Sequence, residues 1–226
     1  MSGRLVDVLR HGEVQGGPCF RGRRDDPLTA LGWRQMREAL AALAEGQGAC
    51  WDAVICSPAT RCQAFAQDFA SARGLPLMIH PALAERDFGA WEGLRASEIP
   101  LAELSAFWAD PQAFDPPEAE PFAAFRRRVA DAWRRLSAAA PVPAPNQGQG
   151  QGQGQDQADS AQNTGQHRLI ITHGGVIRIL LGEILGLADS SLLLLEVPPA
   201  GITRIRLHEG GGRPSLVAHL PPAPYR

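Results

Sequence analysis

Lysine is missing altogether: the 22 basic residues of this 226-residue chain are all arginine. That excludes Schiff-base chemistry at a side-chain amine and the lysine of a Walker-type phosphate loop. Any anion site must therefore use guanidinium, imidazole or backbone N–H groups. Cysteine is scarce, with only Cys19, Cys50, Cys56 and Cys62, and their spacing fits no zinc knuckle. Without a secretion signal they read as ordinary reduced thiols. An excess of charge is also lacking. A net charge of −2 and a pI near 6.3 give no general field for nucleic acid or an anionic membrane, so neither is expected as a partner. No apolar stretch approaches a membrane span, and Met1 to Asp7 lack the apolar core of a signal peptide, so a cytoplasmic location is expected.

What is present suits one globular domain over residues 1–226, with 44% hydrophobic and 20% charged residues. Strand and helix signals alternate. Arg4 to Leu9, Ala53 to Cys56, Pro76 to Ile79 and Arg168 to Thr172 read as short buried strands. Helical spacing predicts helices over Thr29 to Ala44, Ala59 to Ala72, Leu101 to Trp108, Phe122 to Ala139 and Val176 to Leu187. On the fourth of these, Phe122, Phe125, Val129, Trp133 and Leu136 make an apolar stripe opposite Arg126, Arg127, Arg134 and Arg135, which reads as core. Leu192 to Val197, Ile202 to Leu207 and Leu216 to Leu220 are strand-like, with Gly210-Gly211-Gly212 turning the last two into a hairpin. The fold class expected is α/β with a mostly parallel sheet. Residues 141–166 are Pro-, Gln- and Gly-rich with almost no apolar side chain. Such a segment cannot offset the entropy of ordering its backbone, and it is expected to be a disordered insertion within the domain.

Several chemistry-bearing motifs each follow a predicted strand. Arg10-His11-Gly12 comes directly after the first, and Ser57-Pro58-Ala59-Thr60-Arg61 after the second. Glu85 lies in Ala84 to Gly93, and Thr172-His173-Gly174-Gly175 closes the fourth strand. Carboxyl ends of parallel strands are where α/β proteins bind ligands. If these loops converge, the pocket holds two guanidinium groups, two imidazoles and one carboxyl. Arg10 and Arg61 suit a tetrahedral phosphoryl dianion. Flanked by them, His11 stays neutral and nucleophilic, and can carry the phosphoryl group. Glu85 can protonate the departing alkoxide and then activate water. His173 and the N–H groups of Gly174 and Gly175 add donors at a helix start. The expected ligand is a small-molecule phosphate monoester, and no metal or cofactor is called for.

Other readings stay open on the residues alone. A module that merely holds phosphate would use the same groups. A zinc site from His11, His173 and Glu85 lacks helical pairing of the two imidazoles, and two adjacent arginines oppose it. Asp87 and Glu92 are alternative acids, although Asp87 is expected to pair with an arginine and Glu92 to hydrogen-bond locally. Gly12 to Gly17 is glycine-rich but has neither the Gly-x-Gly-x-x-Gly spacing nor a lysine.

In their order along the chain, Leu9 to Glu13, Phe20 to Thr29, Ser57 to Arg61, Glu85 to Gly93 and Thr172 to Arg178 resemble the histidine phosphatase superfamily, with its phosphoglycerate-mutase-like fold. The resemblance runs from Leu5 to about Gly201 and is interrupted by the Gln-Gly stretch. It implies a three-layer α/β/α sandwich, His11 as the phosphorylated nucleophile, Arg10, Arg61 and His173 as the rest of the phosphate pocket, and Glu85 as proton donor. It also makes Arg21, Gly22 and Gly174 candidate substrate contacts. Many relatives place an Asn six residues after the nucleophile, whereas here Gly17 occupies that position, and Arg21 or Arg23 is the candidate to compensate. The short run after Glu85 is similar to the phosphatase branch, without the longer insertion of glycolytic mutases. Cys19 to Arg23 and Val14 are similar to α-ribazole phosphatases of cobalamin assembly. A broad-specificity phosphomonoesterase, a phosphoglycerate mutase and an inactive scaffold of the same fold are the alternatives, and the oligomeric state is left open.

Overall fold

The computed structural model describes residues 3–138 and 167–222. Six strands form one sheet: β1 (Gly3–Arg10), β2 (Ala53–Cys56), β3 (Leu77–Ile79), β4 (His167–Thr172), β5 (Ile202–His208) and β6 (Ser215–Leu220). The helices between them are α1 (Ala30–Gln47), α2 (Thr60–Arg73), α3 (Leu101–Ala109), α4 (Phe122–Ala138) and α5 (Gly174–Leu185). The strand order is β3-β2-β4-β1-β5-β6. β3, β2, β4 and β1 are parallel, β5 runs antiparallel to β1, and β6 runs antiparallel to β5.

Strand alternation sorts the helices into two layers. Val6, Val8, Ile55, Ile170 and Ile205 point to the face covered by α4 and α5, where Phe125, Val129, Trp133, Ile177 and Leu180 complete one core cluster. Leu9, Val54, Cys56, Leu169 and Ile171 point to the opposite face, against Met36, Leu40 and Leu43 of α1 and Phe65 and Phe69 of α2. The fold is thus the three-layer sandwich expected, and the apolar stripe of α4 is core. A third cluster of Trp91, Ile99 and Phe107, with Phe20, Phe88 and Leu193 against it, forms around α3.

One expected strand is absent. Over Leu192 to Val197 the chain instead makes a 3-10 turn, Asp189–Leu194, and then runs on without joining the sheet. Leu192 is wedged onto Gly182 of α5, where a Cβ would stand 2.7 Å from its Cδ2. The run is anchored by one buried leucine rather than by strand pairing, and Leu194 is 80% exposed. The Pro/Gln/Gly-rich stretch 141–166 lies outside the described residues. No helix among the described residues is long and apolar enough to cross a membrane.

The sheet also buries a charged group. Asp7 on β1 accepts hydrogen bonds from Trp51 Nε1 (2.8 Å), His167 Nε2 (2.7 Å) and Arg204 Nε and Nη2 (2.7 and 3.0 Å). Burial pushes its carboxyl up, but the hydrogen bonds and charges of His167 and Arg204 outweigh that and hold it below the ordinary aspartate range.

Candidate active site

Register brings the two histidines together. β1 and β4 are neighbours, with Arg10 opposite Thr172. The next residues, His11 and His173, therefore leave the sheet side by side, and their rings meet edge-on at 5.2 Å between centroids. His11 N–H still donates to the Thr172 carbonyl (2.9 Å), which extends the ladder one step beyond the strand. The loop then crosses the first turn of α1 so closely that a Cβ on Gly12 would lie 2.3 Å from the Gly32 carbonyl oxygen. Only glycine permits that crossing.

The two imidazoles have complementary hydrogen bonding. His11 Nδ1 lies 2.9 Å from the Gly12 carbonyl oxygen. A carbonyl only accepts, so Nδ1 carries the proton and Nε2 keeps a free lone pair. Burial, then the charges of Arg10, Arg61 and Arg21, push the His11 imidazolium well below its ordinary range despite the Gly12 contact, and the ring is neutral. His173 is fully buried, with Nε2 2.7 Å from Ser57 Oγ. Ser57 Oγ also accepts from the Ala59 N–H at 3.3 Å, and a hydroxyl can give its own proton to Nε2 at the same time. The other ring nitrogen, Nδ1, is buried with no hydrogen-bond partner among the described residues. Burial first, and Arg61, His11 and Arg10 after it, also hold His173 neutral. One ring thus offers a lone pair at Nε2 and its neighbour an unpartnered Nδ1.

Arg61, 1% exposed, opens α2. Its Nη1 donates to the Arg24 carbonyl (2.8 Å) and its Nη2 to the Gly22 carbonyl (2.9 Å). Its Nε is buried and unpartnered, so the guanidinium is clamped in place with donors left over. Arg10 Nη1 donates to the Val197 carbonyl, and Arg10 Nε lies 3.5 Å from the place a Cβ on Gly174 would occupy.

Glu85 joins this group through α5. Its Oε2 accepts from Gly175 N–H and its Oε1 from Arg86 N–H, both at 3.0 Å. A Cβ on Gly175 would stand 2.2 Å from Oε1, so the approach requires glycine there. The Gly175 N–H expected to face phosphate is thus directed at Glu85, because the carboxylate sits over the first turn of α5.

The remaining candidates hold loops. Arg21 Nη2 donates to the Gln15 carbonyl (2.7 Å) and the Gly17 carbonyl, and its Nε pairs with Asp26 (3.1 Å). Its guanidinium thus caps the Gly16-Gly17 turn. Arg23 is 76% exposed at its side chain and pairs with Asp87 at 3.2 Å. Gly22 offers its carbonyl to Arg61. Glu92 accepts from Arg23 N–H (2.7 Å), Arg24 N–H (2.8 Å) and Phe88 N–H (3.2 Å), stitching two loops together. No cluster of three or more His, Cys, Asp or Glu side chains among the described residues is placed to hold a metal ion.

Three contributors carried no role in the sequence reading. Ser57 stands in sequence only as the first residue of the Ser57 to Arg61 motif. Arg178 lies at the pocket, with its Nη1 3.3 Å from the Gly174 Cβ position. Arg128 donates to the carbonyls of Ala82, Ala84 and Glu85 (3.0, 2.8 and 2.9 Å) and pairs with Glu120 at 2.7 Å. It fastens the Glu85 loop to α4. In sequence it is one arginine in a run of three, and helical spacing gives no sign that it points inward.

The model of the histidine phosphatase superfamily (branch 1) matches residues 6–142 and 156–219. The chain belongs to that superfamily. The match extends past Gly201 into β6. An adenosylcobalamin/alpha-ribazole phosphatase of Escherichia coli K12 is 30% identical over 190 residues, 82% of this chain and 81% of that protein. A bifunctional protein of Mycobacterium tuberculosis is 36% identical over 126 residues. That match spans 54% of this chain and only 34% of the mycobacterial protein's length. Among solved structures, the alpha-ribazole phosphatase of Shigella flexneri superposes with a TM-score of 0.72 at 26% identity, covering 96% of each chain.

Proposed function

We propose that this chain is a phosphomonoesterase that works through a phosphohistidine at His11, and that its substrate is α-ribazole 5′-phosphate. The observation that carries the mechanism is the pair of imidazoles: Nε2 of His11 is free to attack, while the buried Nδ1 of His173 has no partner among the described residues and, with the Ser57 hydroxyl donating to Nε2, carries the proton. In the first step Nε2 of His11 forms a bond to phosphorus as the ester P–O bond breaks. Glu85 gives its proton to the leaving alkoxide. Arg10, Arg61 Nε–H and His173 Nδ1–H hold the three remaining oxygens, whose charge they neutralise without a metal ion. In the second step Glu85 takes a proton from water, whose oxygen attacks phosphorus and releases His11 and inorganic phosphate.

The substrate assignment draws on the E. coli and Shigella relatives, which carry that name at 30% and 26% identity. The test is to assay release of phosphate from α-ribazole 5′-phosphate beside interconversion of 2- and 3-phosphoglycerate, with and without EDTA. Fast hydrolysis of the ribazole ester in chelator is expected. Equal activity on many unrelated esters would remove the substrate and leave the mechanism. Efficient phosphoglycerate interconversion with little free phosphate would overturn hydrolysis itself.

A further inference from the structure

After the 3-10 turn Asp189–Leu194 the chain runs from Leu195 to Pro199 outside the sheet, so its carbonyls must find donors other than a neighbouring strand. Three consecutive ones are taken by basic side chains from three different elements. Arg178 Nε of α5 donates to the Leu195 carbonyl at 2.9 Å, His219 Nε2 of β6 to the Glu196 carbonyl at 2.6 Å, and Arg10 Nη1, at the end of β1, to the Val197 carbonyl. This strap then enters the turn that bonds the nucleophile loop. Ala200 N–H donates to the His11 carbonyl at 3.2 Å, and Arg10 N–H to the Gly201 carbonyl at 3.0 Å. Ala200 has a φ of 57°, a left-handed conformation that a residue with a Cβ keeps only where its surroundings fix it.

His219 stands apart from the phosphate pocket, on the edge strand β6, two strands away from β1. It lies opposite Thr203 in the β5–β6 pair, and Thr203 lies opposite Val8 of β1. Because a carbonyl only accepts, Nε2 carries the ring proton toward Glu196, and Nδ1 accepts from the buried Thr203 hydroxyl at 2.8 Å. A protonated ring would still donate from Nε2, so the contact holds the strap in either charge state.

We propose that His219 is a positioning residue for Arg10: by fixing the Glu196 carbonyl it sets the adjacent Val197 carbonyl, which aims the Arg10 guanidinium at the phosphoryl oxygens. The proposal rests on the phosphomonoesterase reading for what Arg10 holds, and it adds a side chain of the edge strand that touches no reacting group. The coupling is short and stiff, since adjacent carbonyls are separated by one planar peptide unit and two soft dihedrals. Arg10 in turn faces the His11 ring together with Arg61, Arg21 and His173, so a displaced Arg10 is read in the protonation of His11.

Nuclear magnetic resonance titration of the His11 ring tests this without turnover. His219→Leu, which keeps bulk and loses the donor, should raise the His11 midpoint. It should also lower kcat/KM on p-nitrophenyl phosphate about three- to thirtyfold, within the roughly hundredfold cost of a misplacement of about 1 Å. His219→Gln, whose amide N–H can reach the Glu196 carbonyl, should restore most of both. Thr203→Val leaves the imidazole without its orienting hydroxyl and should move both readouts in the same direction by less, so it carries the test if His219→Leu does not fold. In an Arg10→Gln background His219→Leu should cost less than about twofold, because residues that act through one another are not additive. An unmoved His11 midpoint in the folded variants, or a full additional loss in the Arg10→Gln background, would overturn the proposal. A raised midpoint in a protein that hydrolyses no phosphate ester would support the positioning role and count against the phosphatase reading alone.

Discussion

The Ser57 hydroxyl lies 2.7 Å from Nε2 of His173, and in the proposed mechanism it donates there and leaves the ring proton on Nδ1. The ring's other nitrogen, Nδ1, has no partner. In that mechanism Ser57 is a positioning residue: it does not touch the phosphoryl group but aims an N–H at it.

Ser57→Ala should lower kcat by about ten- to a hundredfold with little change in KM, less than the ~10²–10³ that follows outright loss of an oxyanion donor. ¹⁵N shifts of the His173 ring should lose the signature of a single Nδ1–H tautomer. A variant with normal kcat and an unchanged tautomer would refute the assignment.

Gly175→Ala should behave as a displaced acid. A methyl group there would lie 2.2 Å from Glu85 Oε1, so the carboxylate must move. The loss should reach tenfold or more on an alkyl ester and shrink on p-nitrophenyl phosphate, whose leaving group needs no proton. Glu85→Gln should show the same pattern at larger size, up to the ~10²–10⁴ of general acid catalysis. Equal losses on alkyl and aryl esters would exclude Glu85 as the donor.

The acid limb of kcat/KM should lie well below pH 6.5. In the proposed mechanism His11 is the attacking base, and burial together with Arg10 and Arg61 disfavours its protonation, so activity should persist where an ordinary imidazole would already be charged. Replacing Arg10 by Gln removes one of those cations and should move the limb upward. A limb near 6.5 in the wild type would contradict a buried neutral nucleophile.

Asp7→Asn should destabilise the fold by about 3–5 kcal/mol, since it leaves Arg204 buried without its counter-charge. Because the Asp7 carboxyl is held below its unfolded range, its contribution is complete above that range and is lost as the pH falls through the folded value. Thermal melts of wild type and variant should therefore differ most near neutrality and begin to converge only below about pH 4, as the pH falls toward the folded value.

The strands, the helices and the five residues of the pocket were legible because each left a local mark. Val6, Val8 and Leu9 announced a buried strand, and Arg10-His11-Gly12 and Thr172-His173-Gly174 followed such strands directly. The unread parts depend on contacts between segments far apart in sequence. Leu192 to Val197 had the apolar run of a strand, but whether it paired depended on its distance from a free sheet edge and on Gly182 offering a seat. Arg128 and Ser57 were illegible for the same reason, as their partners are the carbonyls of another loop and an imidazole 116 residues away. Gly175 was expected to serve phosphate, and only the height of Glu85 over α5 shows otherwise.

The position of β1 in the sheet has a consequence for biosynthesis. The strand that delivers His11 precedes the other five strands of the sheet in sequence, yet it is flanked by β4 and β5, which follow it by more than 150 residues. Until β4 arrives, β1 lacks its parallel neighbour, the Thr172 carbonyl that receives the His11 N–H does not exist, and Arg61 has no second imidazole opposite. A ribosome-bound chain that has completed α4 therefore holds His11, Arg10, Arg61 and Glu85, but not their assembled arrangement. Under the proposed mechanism reactivity arrives in one late step, when non-local pairing closes the sheet around β1.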